Sequence, residues 1–486
     1  MHNLECALLE LPQDLVTRDQ DILSSYLTDF RRQYTGRTPA LLRPRNTADV
    51  QTIVRVCAKH GVAIVPQGGN TSYCAAATPS DDGDELLISL ERMTRLRDLD
   101  NENLSVTVDA GIILADLQRA ADEAGLMLPL ALGSQQSCRI GGNLSTNAGG
   151  INVLRHGMTR ELVLGLEAVL PDGSLYSELA PLRKNNSGYD VKQLFIGAEG
   201  TLGVITGVSL KLVRKPRETV TAFLAIRDIA SLASILSAAQ VQTGEAITSF
   251  EYISRTSLNL LFNAKNNLRH PLQQESEHYV ILEATTVSPV LNFEDCMSAL
   301  LGELYEAGLI VDATIAASQQ QRAALWYLRE NIPEAEVHHG GSIKHDIAVR
   351  TSRVADFVEA ASRLVQDRWS GSILSIYGHV GDGNVHFNIV APPGADKGDF
   401  RKRVEEEISP EIYRLVFEMG GTFSAEYGIG RVKLDLLLRY GAEGKLEMMR
   451  RIKSAIDPNG LFNPGKVLPW ALNPFIDRRG SGADRV

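Results

Sequence analysis

Three glycine-rich runs restrict what this chain can fold into more than any other feature. They read Pro66-Gln-Gly-Gly-Asn-Thr-Ser72, Ile140-Gly-Gly-Asn-Leu-Ser-Thr-Asn-Ala-Gly-Gly150 and Phe195-Ile-Gly-Ala-Glu-Gly-Thr-Leu-Gly-Val-Ile-Thr206. Regular elements flank each one. Asn46-Thr47 reads as a helix cap, Val50, Ile53, Val54 and Cys57 follow at helical spacing, and Gly61 closes the helix before a short buried strand at 62–65. An alternating strand at 104–109 and a helix at 112–124 lead through Pro129-Leu-Ala-Leu-Gly-Ser134 into the second run, and a turn at Asp172-Gly173 precedes the third. Loops of this composition present bare backbone N–H groups, and converging N–H groups make a nest for phosphate oxygens. Three of them within about 140 residues exceed what turns alone require, and they predict a backbone-lined groove long enough for a dinucleotide. None fits G-x-G-x-x-G, and Gly465-Lys466 lacks the rest of a P-loop, so a Rossmann nicotinamide site and an ATPase are both disfavoured.

A second stretch carries different chemistry: Tyr377-Gly-His-Val-Gly-Asp-Gly-Asn-Val-His-Phe-Asn-Ile-Val390. Asp382-Gly383 is a two-residue hairpin signal. In that register Gly381 pairs with Asn384, Val380 with Val385 and His379 with His386, which puts two imidazoles roughly 5 Å apart at Cβ, with Asn384 on the same face. Facing imidazoles can close on one metal ion, and a carboxylate is the natural third ligand. Glu426, in Ser424-Ala-Glu-Tyr-Gly-Ile-Gly430, stands in a loop small enough to approach a site closely. The competing reading is a polar hairpin with surface histidines.

With 486 residues the chain exceeds one ordinary core, so two or three domains are expected. Its 44% hydrophobic and 22% charged content is that of a soluble globular protein. A net charge of −10 without any Lys/Arg cluster argues against nucleic acid as a partner. No window approaches the roughly 18 apolar residues of a membrane span, and Met-His-Asn-Leu-Glu-Cys does not read as a signal peptide. Cys6, Cys57, Cys74, Cys138 and Cys296 are scattered, which fits reduced thiols and a cytoplasmic location.

Taken together and in order, the loop 66–72, the run 140–150, Arg183-Lys-Asn-Asn-Ser-Gly-Tyr-Asp190, the run 195–206, the histidine hairpin and the loop 424–430 closely resemble the FAD-linked D-2-hydroxy acid dehydrogenases, nearest to their hydroxyglutarate branch. These belong to the vanillyl-alcohol-oxidase-like flavoproteins, and the likeness covers roughly residues 39–468. It implies an α+β fold: a two-subdomain FAD-binding domain (1–216), an antiparallel-sheet cap domain carrying the histidine hairpin (217–423), and a C-terminal segment returning to the FAD domain (424–486). It implies FAD contacts from Pro66, Gly68, Gly69, Asn70, Thr71 and Ser72, then from Pro129, Gly133, Ser134, Gly141, Gly142, Ser145, Asn147, Gly150, Glu199, Gly203 and Ile205, and finally from Asn463. Relatives that tether FAD covalently place a histidine where this chain has Asn70, so noncovalent binding is expected. Arg329, in Leu325-Trp-Tyr-Leu-Arg-Glu330, and Lys344, in Ile343-Lys-His-Asp-Ile347, match cations that bind substrate carboxylates. His379, His386 and Glu426 match zinc ligands, and Asn384 and Tyr427 fall at catalytic positions. An electron-transfer flavoprotein or a quinone is the implied electron acceptor, and a homodimer is compatible with the sequence.

Two departures from the family pattern matter. Tyr427 stands where relatives have a histidine, directly after the glutamate ligand, and a phenol with a pKa of about 10 is a poor base near neutrality. Pro333 stands four residues after Arg329, where the hydroxyglutarate enzymes carry a small hydroxyl residue, which weakens the case for a five-carbon diacid.

Overall fold

The computed structural model describes residues 2–265 and 267–469. The chain divides into two compact units. Unit 1 comprises the chain up to Ala148, Met158–Arg214, and the described residues from Tyr427 on; unit 2 comprises Gly149–Gly157 and Lys215–Glu426. The nine residues Gly149–Gly157 separate from the glycine run that precedes them, so Gly150, expected at the cofactor, clusters with unit 2.

In unit 1, β1 (Val16–Thr17), β2 (Leu41–Leu42), β3 (Ile64–Gln67) and β4 (Leu86–Ser89) form a sheet in the order β1-β2-β4-β3. There follow β5 (Leu96–Asp100), β6 (Ser105–Asp109), β7 (Leu126–Met127), β8 (Val163–Val169), β9 (Leu175–Glu178), β10 (Val204–Lys211) and β11 (Val213–Arg214). Five of them make a sheet ordered β5-β6-β10-β8-β9, while β7 pairs with β11. The helix Thr47–His60 shows why such elements form. The Asn46 side chain accepts from the Asp49 N–H, Gly61 closes the end at φ 61°, and Val50, Ile53, Val54 and Cys57 are buried. Those side chains join Val106, Val108, Leu166, Val208 and Leu210 in one core, and removing that apolar surface from water is the main stabilising term.

Unit 2 is built on one antiparallel sheet of β12 (Glu218–Ile226), β13 (Ile247–Ser254), β14 (His278–Thr286), β15 (Ile310–Ile315), β16 (Ser342–Ala348), β17 (Ile373–Gly378) and β18 (Asn384–Val390), ordered β15-β12-β14-β13-β17-β18-β16. Alternation splits its side chains between two faces. Ala222, Leu224, Val280, Leu282, Phe250 and Tyr252 pack in one core with the helices Leu232–Thr243, Phe293–Glu306 and Val354–Arg368. Phe223, Ile253, Tyr279 and Ile281 pack with Leu325, Trp326 and Leu328 of the helix Gln319–Glu330. The second face also carries the buried carboxylates Glu251 and Glu283.

The expected two-residue hairpin at Asp382-Gly383 does not form. β17 ends at Gly378, β18 begins at Asn384, and Tyr377, not His379, lies opposite His386. A turn of that kind needs positive φ at both central residues, but only Gly383 adopts it, at 89°. A five-residue loop takes its place, closed by Asp382 N–H to His379 O at 3.1 Å and Asn384 N–H to His379 O at 3.2 Å. Tertiary packing decides the matter. Val380 is buried, the Gly381 N–H donates to Phe250 O on β13, and Gly383 passes so close to the Val349 carbonyl that a Cβ would sit 2.0 Å from it.

Candidate active site

In unit 1 the first two glycine runs meet. A Cβ on Gly68 would lie 3.3 Å from the Gly142 nitrogen, a tight contact, and one on Gly69 would lie 2.3 Å from Ser137 O, so Gly69 excludes a side chain. Asn70 holds φ 51° and donates from Nδ2 to Thr28 O. Among the described residues the amides of Gly69, Asn70 and Thr71 have no acceptor. A Cβ on Gly133 or Gly142 would meet open space. Pro129 is buried, and the Ser134 carbonyl turns the chain by accepting from Ser137 and Cys138. Asn463 donates from Nδ2 to Ala76 O and Glu199 O while its Oδ1 is buried without a partner. Donor-rich backbone, open space over two glycines and an orphaned buried acceptor fit a polar, phosphate-bearing cofactor such as FAD.

Several residues expected at the cofactor also bond or pack within the protein. Glu199, at φ 52°, accepts from the Ile429 and Gly430 N–H groups at 2.7 and 2.8 Å, so its carboxyl ties down the loop after Tyr427. Burial pushes it up to about 7 despite those two donors. The space over Gly203 is filled by Phe195 and Val169 O, Pro66 packs under Gly200, and Ile205 is in the core. Ser145 bonds back to Gly141 O, and Asn147 accepts from the Arg160 N–H. Ser72 donates to Tyr427 O. Tyr427 has φ 64° and stacks on Tyr73 with centroids 4.3 Å apart.

In unit 2, His379, His386 and Glu426 offer ligand atoms that all lie within 4.8 Å of one another. His386 comes from β18, His379 from the loop after β17, and Glu426 is placed by its own N–H, which donates to Asp346 Oδ2 on β16 at 2.9 Å. The imidazole centroids are 5.7 Å apart. Besides Asp346, two carboxylates not assigned to the site from sequence complete the surroundings: Glu251 Oε1 lies 2.7 Å from His379 Nδ1, and Asp382 is in the loop itself. Burial alone would lower His379, but the charge and hydrogen bond of Glu251 lift it to about 9. Burial and the neighbouring Asp346 and Asp382 raise Glu426 to about 7, and burial raises Asp382 to about 6. Four acids around two imidazoles and the Arg329 guanidinium leave the cluster short of positive charge, and the donor set of two nitrogens and one oxygen is one that a divalent ion such as zinc accepts.

The expected substrate residues adjoin this cluster. Arg329 is buried, donates from Nε to Glu251 Oε2 at 2.9 Å and lies 4.7 Å from the Tyr377 ring centroid. Lys344 is half-buried. Asn388 Nδ2 reaches Tyr377 Oη and Glu336 Oε1, and Lys344 Nζ is 3.9 Å from Glu336 Oε2. Asn384 donates to Asp346 Oδ1 and Ile347 O, leaving its buried Oδ1 without a partner. A lone charge in an otherwise uncharged strand was the signal for Glu251, and Asp346 stood in the Lys344 strand already singled out.

Solved structures share this fold at low identity. p-Cresol methylhydroxylase with substrate bound superposes at TM-score 0.73 with 16% identity over 96% of both chains. Alkyldihydroxyacetonephosphate synthase reaches 0.71 with 15% identity over 95% of this chain and 84% of that one. These likenesses define the fold alone, and it is α+β. Residues 38–177 match the "FAD binding domain" family and residues 215–467 the "FAD linked oxidases, C-terminal domain" family. A mitochondrial D-2-hydroxyglutarate dehydrogenase of Danio rerio is 37% identical over 95% of this chain and 84% of its own length. A D-2-hydroxyglutarate dehydrogenase of Stutzerimonas stutzeri is 34% identical over 93% and 96%. This chain belongs to the FAD-linked D-2-hydroxy acid dehydrogenase family, and it is an FAD-dependent oxidoreductase. No described helix is long and apolar enough to cross a membrane.

Proposed function

We propose that the chain oxidises a D-2-hydroxy acid of the D-2-hydroxyglutarate class to the 2-oxo acid, with FAD as electron acceptor and zinc held by His379, His386 and Glu426. The observation that carries this reading is the convergence of those three ligand atoms within 4.8 Å in the unit that also buries Arg329; the substrate class comes from what the relatives are called. When bound, FAD supplies a hydride acceptor and zinc a Lewis acid for an oxygen. Arg329 and Lys344 hold carboxylates, because C2 can be presented in one orientation only if the acid is anchored at its charged ends. Asn384 holds Asp346 beside the metal ligands, its Nδ2 donating to Asp346 Oδ1. Oxidation removes a hydride from C2 and a proton from the hydroxyl. A phenol is a poor base near neutral pH, so Tyr427 is given no proton to carry and the proton leaves to water. With no nicotinamide fingerprint in the sequence, the electrons pass on to an electron-transfer flavoprotein or a quinone.

Pro333 favours a second reading. In the first turn of the helix Ile332–His339 it offers no hydroxyl, and a shorter acid such as D-lactate or glycolate needs no such donor. Five free thiols support a reducing compartment, and we keep the cytoplasm as the proposal, although several relatives are named mitochondrial. Anaerobic titration of the zinc-loaded protein with D-2-hydroxyglutarate, D-malate, D-lactate and glycolate tests both readings. Bleaching of the flavin by D-2-hydroxyglutarate, abolished by prior chelation, is the expected result. Bleaching by lactate or glycolate alone selects the shorter acid, and a flavin that no D-2-hydroxy acid reduces defeats the proposal.

A further inference from the structure

We infer that Glu251 is a positioning residue, holding the metal ligand His379 and the substrate cation Arg329 in one fixed arrangement from the centre of β13. The inference rests on the metal-centre reading above. Its side chain is 1% exposed and each oxygen has a different partner: Oε1 meets His379 Nδ1 at 2.7 Å, and Oε2 meets Arg329 Nε at 2.9 Å. These partners come from separate segments, the loop after β17 and the helix Gln319–Glu330.

A carboxylate at Nδ1 keeps a proton on that nitrogen and leaves Nε2 as the lone pair. Nε2 is the nitrogen that points toward Glu426, 3.8 Å from Oε1, so the bond selects the tautomer a ligand set needs and holds the ring plane. The same carboxylate fixes the guanidinium at its Nε edge while the Tyr377 ring supports its face at 4.7 Å. Glu251 is itself rigid, because β13 is paired on both sides: Glu251 lies opposite Ile281 of β14, and the next residue, Tyr252, lies opposite Gly378 of β17. Its neighbour across the cluster, Glu426, lies 3.8 Å from His379 Nε2 and so offers the imidazole no equivalent bond. One side chain that binds neither ion nor substrate thus sets the geometry for both, and its loss should weaken both together.

The test uses the full-length, FAD-loaded protein carrying Glu251→Gln, an isosteric change that turns an NH₂ group toward one of the two donors. Zinc affinity is read by competition with a chromophoric chelator, FAD content by absorbance, and KM and kcat separately. Zinc affinity is expected to fall about 10- to 100-fold, the usual effect of removing a carboxylate behind a histidine ligand. FAD content should be unchanged, and KM should rise more than kcat falls. Glu251→Asp, which keeps the charge on a shorter arm, should recover part of both losses. Unchanged zinc affinity in a folded, flavin-loaded Gln variant overturns the inference. Should the Gln variant fail to retain flavin, the Asp variant decides: an intermediate loss of zinc affinity supports the inference and wild-type affinity overturns it. An unmodified protein that binds no divalent ion defeats the metal-centre reading, and this inference with it, before any variant is made.

Discussion

The loops 68–72 and 379–383 are both tight and glycine-bearing, yet they are built for function in opposite ways. The first works through its backbone. Its glycines are pressed against Ser137 and Gly142, and its amides have no acceptor among the described residues. The second works through side chains: its backbone bonds are spent on closing the loop and fastening it to Phe250, and what it presents is the His379 imidazole. A site made of backbone is damaged by adding atoms, and one made of side chains by removing them.

The sharpest test of that contrast is His379→Ala. Loss of one of three ligands should remove zinc and lower turnover by about 10³-fold, equivalent to several kcal/mol of lost Lewis-acid stabilisation, while the flavin spectrum stays that of the parent. Metal analysis and absorbance on the same sample decide it; a variant that keeps full turnover makes the histidine loop structural only. The converse experiment is Gly69→Ala. Its Cβ would meet Ser137 O at 2.3 Å, and overpacking of this kind costs about 1–3 kcal/mol, so FAD affinity should fall by about 10- to 100-fold with zinc affinity untouched. If zinc were lost with the flavin, the two sites would not be separable as argued.

The smallest effect is expected at Tyr427. Phenylalanine preserves the stack on Tyr73, so Tyr427→Phe should change turnover by less than about threefold, whereas Tyr427→His adds a base near neutral pH and should raise it. Rates for both variants between about pH 6 and 10, with zinc content measured in each, check this. A loss of about 10²-fold or more in the Phe variant with zinc retained would assign the tyrosine a proton-transfer role.

Much of unit 1 was legible because its signals are local. Asn46, the apolar spacing through Cys57 and Gly61 specify a helix within 16 residues of each other, and the observed helix Thr47–His60 follows them. The strand expected at 62–65 forms at Ile64–Gln67, a shift of two residues set by pairing with Leu86–Ser89. The hairpin was misread for the opposite reason. Asp382-Gly383 carries a local turn signal, and contacts with Phe250 and Val349, far away in sequence, overrode it. The partners of the Glu199 carboxyl were equally hidden, since Ile429 and Gly430 are some 230 residues away and only the fold brings their N–H groups to it.

The sequence by itself determined which chemistry was available: glycine runs fit for an anionic cofactor, two histidines and an acid fit for a metal, and neither a G-x-G-x-x-G nor a P-loop pattern. Those are properties of residue type and near spacing, and they survive without knowledge of the fold. Which carboxylate backs which cation was decided only by tertiary structure. Glu251 and His379 are 128 residues apart and become neighbours because the sheet order sets β13 beside β17. Strand order depends on how two faces of a sheet divide a whole unit's apolar side chains between them, and no local pattern in this chain carries that information.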